Sequence, residues 1–190
     1  AMESDDAFMV RVMADSKEQA IKAAEKGTAI HAAIQGHYEG VPPDERYWEH
    51  VKGAAAAVTA FFGEKKWTAE RSFAHPLGFG GKLDLHCDTA LVDFKSKEFA
   101  PDDKLSTWDE HHMQIAAYQK GIGMEGKHGA ICYVSVTHPG LAVVLPIDGV
   151  ELLRGWDMFQ GLLKYWCGKN KYFPANASKA RIEAANREAV

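Results

Sequence analysis

The fold is decided by one stretch of the chain, Gly81-Lys82-Leu83-Asp84-Leu85-His86-Cys87-Asp88-Thr89-Ala90-Leu91-Val92-Asp93-Phe94-Lys95-Ser96-Lys97. Apolar and polar residues alternate on either side of Asp88-Thr89, which predicts two β-strands joined by a tight turn. A turn centred between these two residues places Asp84 opposite Asp93 in an antiparallel pair. One face of the hairpin is then apolar, with Leu83, Leu85, Val92 and Phe94, and the other is charged, with Asp84, Asp93, Lys95 and Lys97.

The facing carboxylates of Asp84 and Asp93 are the first indication of chemistry. Like charges directly opposed on a sheet are unfavourable by up to about 1 kcal/mol, so this spacing favours a compensating cation. Hard carboxylate oxygens suit Mg²⁺ or Mn²⁺ better than zinc. Lys95, two residues after Asp93, would add an ammonium group on the same face. An ordinary solvated hairpin face with incidental salt bridges fits this short pattern equally well when it is taken alone.

Outward from this hairpin, the hydrophobic periodicity predicts an α/β domain with a central mixed β-sheet flanked by helices. We expect a single domain over 1–190, with 1–15 and 176–190 as peripheral tails and the last of these weakly helical. The predicted helices are 16–38, 44–62, 109–121 and 149–166, and the predicted strands are 67–75, 82–86, 91–97, 130–137 and 141–145.

Composition and charge exclude several classes of protein. The chain has 190 residues, 46% of them hydrophobic, and a net charge of -4, which is typical of a folded domain and excludes a uniformly basic coat for nucleic acid. No apolar run approaches the roughly 20 residues of a membrane helix, and no secretory signal is visible, so we expect no membrane partner. The three cysteines are far apart, which favours a reduced, cytoplasmic setting.

Four short motifs occur in a characteristic order. They are Gly27-Thr28 with His31, Gly81 to Asp84, Asp93-Phe94-Lys95, and Gln114 with Tyr118. Together they resemble the PD-(D/E)XK nucleases, specifically the RecB-like exonuclease branch found in phages and repair systems, over about Gly27 to Leu145. The resemblance implies a restriction-endonuclease-like core in α-β-β-β-α-β order, divalent-metal catalysis and cleavage of DNA phosphodiester bonds.

The resemblance also implies a metal-ligand set. Asp84 and Asp93 would hold one or two Mg²⁺ or Mn²⁺ ions, with the backbone carbonyl of Phe94 as a further ligand. His31 matches a histidine that adds a nitrogen ligand and favours Mn²⁺; without the resemblance, it reads as a hydrogen-bonded histidine in an Ala-rich interface. Glu70, on the preceding strand, would be an extra acidic group near the metal, although edge-strand glutamates are usually solvated.

Other residues are expected to act on the substrate. In the resemblance, Lys95 orients the attacking water or stabilises charge on the phosphate, and Gln114 and Tyr118, four residues apart on one helix face, border the site. Lys97 and Lys104 would contact the DNA backbone. The adjacent His111 and His112 diverge by about 100° on a helix, so we do not expect them to share an ion.

The sequence thus predicts a metal-dependent DNA exonuclease that acts at strand ends and leaves 5′-phosphate products, in a bacterial or phage-infected cytoplasm. A non-catalytic DNA-end-binding module of the same fold, a flap or endonuclease of the same superfamily, and a protein-interaction domain remain as alternatives. With three dispersed cysteines, we expect no iron–sulfur cluster. Relatives include monomers and toroidal trimers, so a homo-oligomer or a larger recombination complex stays open.

Overall fold

The computed structural model describes residues 4–174 of the chain. Its four α-helices are α1 (Asp5–Tyr38), α2 (Trp48–Phe62), α3 (Asp109–Ile122) and α4 (Gly149–Lys169). Its five strands are β1 (Thr68–His75), β2 (Phe79–His86), β3 (Ala90–Lys97), β4 (His128–Ser135) and β5 (Ala142–Ile147). The predicted order of helices and strands is confirmed.

The strands form one mixed sheet in the order β1-β2-β3-β4-β5. β3 and β4 are parallel, and all other neighbours are antiparallel. A parallel pair needs a crossover connection, and here α3 lies in the segment that joins β3 to β4. The predicted hairpin around Pro139-Gly140 is the antiparallel β4–β5 pair.

Helices cover both faces of the sheet. On one face, α1 and α2 pack against β2, β3 and β4 through a buried cluster that contains Ile30, Val58, Leu85, Val92 and Phe94. On the other face, a second cluster joins α3 and α4 to the sheet through Leu91, Ile115, Ile131, Tyr133 and Leu152. The result is the predicted α/β architecture of a sheet between two helical layers.

The first helix begins earlier than the sequence pattern predicts. It starts at Asp5 instead of residue 16, because the Ser4 side chain accepts a hydrogen bond from the Ala7 N–H at 3.3 Å and Asp5 and Asp6 favour the helix N-terminus. Side chains from residue 5 to residue 26 are exposed. The predicted tail at 176–190 lies outside the described residues.

The second helix is preceded by a short 3-10 helix at Glu45–Tyr47. Asp44, the predicted helix start, caps this turn by accepting a hydrogen bond from the Arg46 N–H at 2.9 Å. Within residues 4–174, none of the helices combines the length and the apolar character that crossing a bilayer requires.

The register predicted for the β2–β3 hairpin is confirmed where the strands pair. Leu85 faces Val92 and His86 faces Leu91, but the ladder ends there, before Asp84 and Asp93. The prediction that Leu83 shares a face with Leu85 is wrong, since Leu83 packs with the α3–α4 cluster and Leu85 with the α1–α2 cluster. The alternation breaks at Asp84, where β2 is unpaired with both neighbouring strands.

The crossing of α3 and α4 depends on Gly155. A Cβ atom at this position would lie 2.5 Å from the backbone oxygen of His112 in α3. We expect Gly155→Ala to lower the free energy of unfolding by about 1–3 kcal/mol, because the backbone of the neighbouring helix must move. Urea denaturation measures the change.

Gly161 of the same helix provides the matched control. A Cβ atom there meets nothing within 4 Å. We expect Gly161→Ala to stabilise the protein by about 0.5–1 kcal/mol, since alanine loses less conformational freedom in a helix. Equal effects of the two substitutions would show that the close approach of α3 and α4 does not limit stability.

Candidate functional site

A hydrogen-bonded network joins the end of β3 to α3. Gln114 Nε2 donates to Asp93 Oδ1 at 3.0 Å and to the Tyr118 oxygen at 2.9 Å. Lys95 Nζ donates to Gln114 Oε1 at 2.9 Å and lies 2.7 Å from Asp93 Oδ2. Four of the predicted site residues are therefore in direct contact.

The chemistry of these groups fixes the orientation of the Gln114 amide. Lys95 can only donate, so it must face the amide oxygen, and the Asp93 carboxylate can only accept, so it must face the amide nitrogen. In the opposite amide orientation, the amide nitrogen would face the Lys95 ammonium, donor against donor. The amide oxygen would face the Asp93 carboxylate, acceptor against acceptor. Gln114 thereby holds Asp93, Lys95 and Tyr118 at fixed positions relative to one another.

Asp93 carries a carboxylate in an unusual environment. Its side chain is 3% exposed. Burial, followed by the nearby charge of Asp84, raises the pKa of Asp93 to about 6, and the Lys95 ammonium opposes this rise. Asp93 Oδ2 lies 2.7 Å from the Lys95 ammonium, and no other donor reaches this oxygen among residues 4–174. A second cation at this oxygen would share it with Lys95 or displace the ammonium.

Asp84 lies where β2 and β3 separate. Its Oδ2 atom accepts a hydrogen bond from the Phe94 N–H at 2.8 Å, a side-chain bond beyond the end of the β2–β3 ladder. The same oxygen lies 3.7 Å from His31 Nδ1 of α1. Because the charge of Asp84 acts on Asp93, the two carboxylates belong to one electrostatic site.

His31 reaches this site because α1 approaches β3 closely. One turn earlier, a Cβ atom on Gly27 would lie 2.6 Å from Ser96 Oγ of β3, so a larger residue would require the Ser96 hydroxyl to move. Burial lowers the pKa of His31, partly offset by the charge of Asp84, and Lys95 lowers it further. The neutral imidazole, the form that binds metals, is therefore favoured.

A cavity of about 180 Å³ opens beside His31, Asp84 and Phe94. Sequence reasoning missed Gln35 and Tyr38, which also line it. A signal was present, since these residues lie four and seven positions after His31 and so share its helix face.

Glu70 lines the same cavity. Its φ angle of 43° is in the left-handed region, and its side chain forms an ion pair with Lys82. The β1–β2 register continues on both sides of Glu70 and Asp84 but omits this pair. Glu70 and Asp84 thus lie at a break in the β1–β2 ladder, and a backbone in the left-handed region is often found at functional sites.

The remaining predicted residues lie around this centre. Lys97 Nζ lies 5.8 Å from the centre of the Tyr133 ring, and Lys104 is exposed in the loop before α3. His111 and His112 point to different partners, as predicted, with His111 Nδ1 accepting from the Trp108 N–H and His112 Nε2 lying 2.9 Å from Thr107 Oγ1.

The side chains are not already arranged as a metal cage. Within residues 4–174, no group of three or more His, Cys, Asp and Glu residues is placed to hold a metal ion. Lys95 pairs with Asp93, and the Phe94 N–H occupies Asp84 Oδ2. The donor types nevertheless fit a hard divalent ion, because the carboxylates of Asp84 and Asp93 supply oxygen ligands and Asp93 Oδ2 is contacted by the Lys95 ammonium alone among residues 4–174.

Comparisons with known proteins support the fold. No family model matches the chain, and no curated protein matches it. The chain is similar to the crystal structure of a protein from Eubacterium rectale that bears the provisional name exonuclease, with a TM-score of 0.54 and 13% identity over 77% of this chain and 68% of that one. The structure of SSO0001 is 17% identical over 80% of this chain and 69% of that chain, with a TM-score of 0.32. At these identities the similarity shows an α/β fold shared with the Eubacterium rectale protein.

Proposed function

We propose that the protein is a metal-dependent DNA exonuclease of the PD-(D/E)XK type, in its RecB-like branch. The proposal rests on one observation, the convergence of Asp84, Asp93, Lys95 and Gln114 where β2 and β3 separate. A pair of acidic groups that can hold a divalent ion, beside an ammonium, suits metal-assisted hydrolysis of a phosphodiester. The provisional name of the similar Eubacterium rectale structure agrees with this activity.

Asp84 and Asp93 would hold Mg²⁺ or Mn²⁺, with His31 and the Phe94 carbonyl as further ligands and Glu70 nearby. Such an ion lowers the pKa of bound water and neutralises phosphate oxygens. The fit rests on the donor types and on the electrostatics, because Asp93 is buried next to a second carboxylate and a cation would relieve their repulsion.

The other residues would position the substrate. The Lys95 ammonium would stabilise the negative charge that develops on the phosphate in the transition state. Gln114 would hold the Lys95 ammonium beside Asp93, and Tyr118 would fix the amide of Gln114 in turn. Lys97 and Lys104 would contact the DNA backbone, which makes activity fall as salt rises.

The direct test is digestion of linear DNA. We expect Mn²⁺ or Mg²⁺ to support digestion to products with 5′-phosphate ends, and EDTA to stop it. Asp93→Asn, which keeps the shape of the side chain, is the matched inactive control. DNA binding without digestion would instead favour the end-binding module, and cutting of circular DNA or of flap junctions would favour an endonuclease or a flap nuclease.

Metal binding also has a readout that is independent of cleavage. A ligand that binds only the folded state stabilises it by about 2.7 kcal/mol at 100 times its Kd. We expect Mn²⁺ to raise the Tm of the wild-type protein and to leave the Tm of Asp93→Asn nearly unchanged. The same rise in both proteins would place the bound ion elsewhere.

A further inference from the structure

A second cavity lies on the α3 side of the site. It has a volume of about 250 Å³ between the β1–β2 hairpin, α3 and α4. We call it the aromatic cleft and define it by Phe73, Phe79, Met113, Gln114, Tyr118 and Phe159. Two of these residues, Gln114 and Tyr118, also belong to the network on Asp93, so the cleft borders the proposed active site.

The walls of the cleft are aromatic rings that hold one another in place. The ring centre of Phe73 lies 5.9 Å from that of Phe79 and 6.0 Å from that of Tyr118, and Phe79 lies 4.9 Å from Phe159. All three contacts are edge-to-face, which is a favourable packing for aromatic rings. The walls are therefore positioned before any ligand binds.

The polar groups of the cleft lie beside Asp93. Tyr118 accepts a hydrogen bond from Gln114, but the hydroxyl proton of Tyr118 has no acceptor in the described part of the chain. That proton is a donor available to a ligand. A position of this kind, apolar walls with one or two directed polar groups, is typical of small-molecule and base-binding sites.

The charge of the lining indicates which part of a nucleotide it fits. The cleft contains no Lys or Arg side chain, and its charged lining residue is the exposed Glu110. A phosphate would be repelled by this carboxylate. A neutral base can stack on aromatic rings, whichever of the four bases it is.

We propose that the aromatic cleft holds one unpaired DNA base next to the phosphate that is cleaved, an inference that rests on the proposed nuclease function. The base would stack against the aromatic walls and accept a hydrogen bond from the Tyr118 hydroxyl. A base inside a duplex must leave its pair and its stack to enter such a cleft, at a cost of a few kcal/mol that is smallest in single strands. The protein would therefore prefer single-stranded or frayed ends.

Binding of oligothymidylates in EDTA tests this inference without cleavage. The probes are an intact oligomer and oligomers that lack one base, at the 5′ end, at the 3′ end or in the middle. We expect the wild-type protein to bind at least one abasic oligomer about 5- to 150-fold more weakly than the intact oligomer.

Two variants should reduce this difference in affinity between the intact and the abasic oligomers. Phe159→Leu keeps apolar volume but removes one aromatic wall, and Leu162→Trp narrows the cleft, since Leu162 lines it and is 54% exposed. Leu153→Trp is the control, on the same helix, 70% exposed and outside the cleft lining. Thermal unfolding of each variant reports whether its fold is retained.

The outcomes separate the two proposals. If wild type digests linear DNA with Mn²⁺ but no missing base weakens binding, or if both variants keep the full difference, the base-binding cleft is wrong and the nuclease stands. If a missing base weakens wild-type binding and the variants reduce that effect, but no digestion occurs, the cleft stands as a base-binding site and the nuclease is wrong. If neither digestion nor base-dependent binding is observed, both are wrong.

Discussion

Lys95→Ala is expected to reduce the rate of Mn²⁺-dependent DNA cleavage about 10²- to 10³-fold, the usual cost of removing a group that stabilises transition-state charge. Lys95 Nζ lies 2.7 Å from Asp93 and 2.9 Å from Gln114, so it is held where the phosphate would meet the carboxylates. The rise in Tm with Mn²⁺ should persist, because the proposed ligands remain. Single-turnover cleavage of a labelled linear DNA measures the rate.

Lys97→Ala is the matched control for this variant. Lys97 lies two residues further along β3, is exposed, and approaches the ring of Tyr133. We expect a smaller loss that appears in DNA affinity and decreases at high salt, since a backbone contact contributes mainly through counterion release. Equal losses in the two variants, or near wild-type cleavage by Lys95→Ala, would remove Lys95 from the proposed mechanism.

Two substitutions of Asp84 should separate its structural role from its proposed metal-binding role. Asp84→Ala removes the acceptor of the Phe94 N–H, and Phe94 is only 3% exposed. An unsatisfied buried donor costs about 1–3 kcal/mol, so urea denaturation should show a loss of stability in this range. Asp84→Asn retains a carbonyl oxygen that can accept this bond, and its stability should stay close to that of wild type.

Both Asp84 variants are expected to lose DNA cleavage by two or more orders of magnitude, about the scale of removing an electrostatic group from a catalytic site. The loss in Asp84→Asn is the informative one, because its fold should be intact. If Asp84→Asn were active, the role of Asp84 would be limited to its hydrogen bond with the Phe94 N–H. A destabilised Asp84→Asn protein would show that the charge itself stabilises the fold.

The strands and helices around the site were predictable because their sequences are locally periodic. The hairpin register that brings Asp84 towards Asp93 follows from alternation around a tight turn, and two of its pairs are observed. The shared helix face of Gln114 and Tyr118 follows from their spacing, and the structure joins them by a hydrogen bond. These features depend on residues close together in the chain.

Other features depend on contacts between distant segments and were missed. Alternation cannot show that strand pairing is interrupted at Asp84 and that Leu83 joins the opposite cluster from Leu85. The early start of α1 depends on a weak cap at Ser4 and not on a buried face. The aromatic cleft combines a hairpin with two helices, and no local pattern predicts such a combination.

A crystal structure with Mn²⁺ tests most directly the proposal that Asp84 and Asp93 share one divalent ion. We expect an anomalous peak between the two carboxylates, with ligand distances of about 2.0–2.3 Å and His31 at its edge. A peak that touches only one of the two carboxylates, or no peak at the site in a protein that cleaves DNA with Mn²⁺, would contradict it.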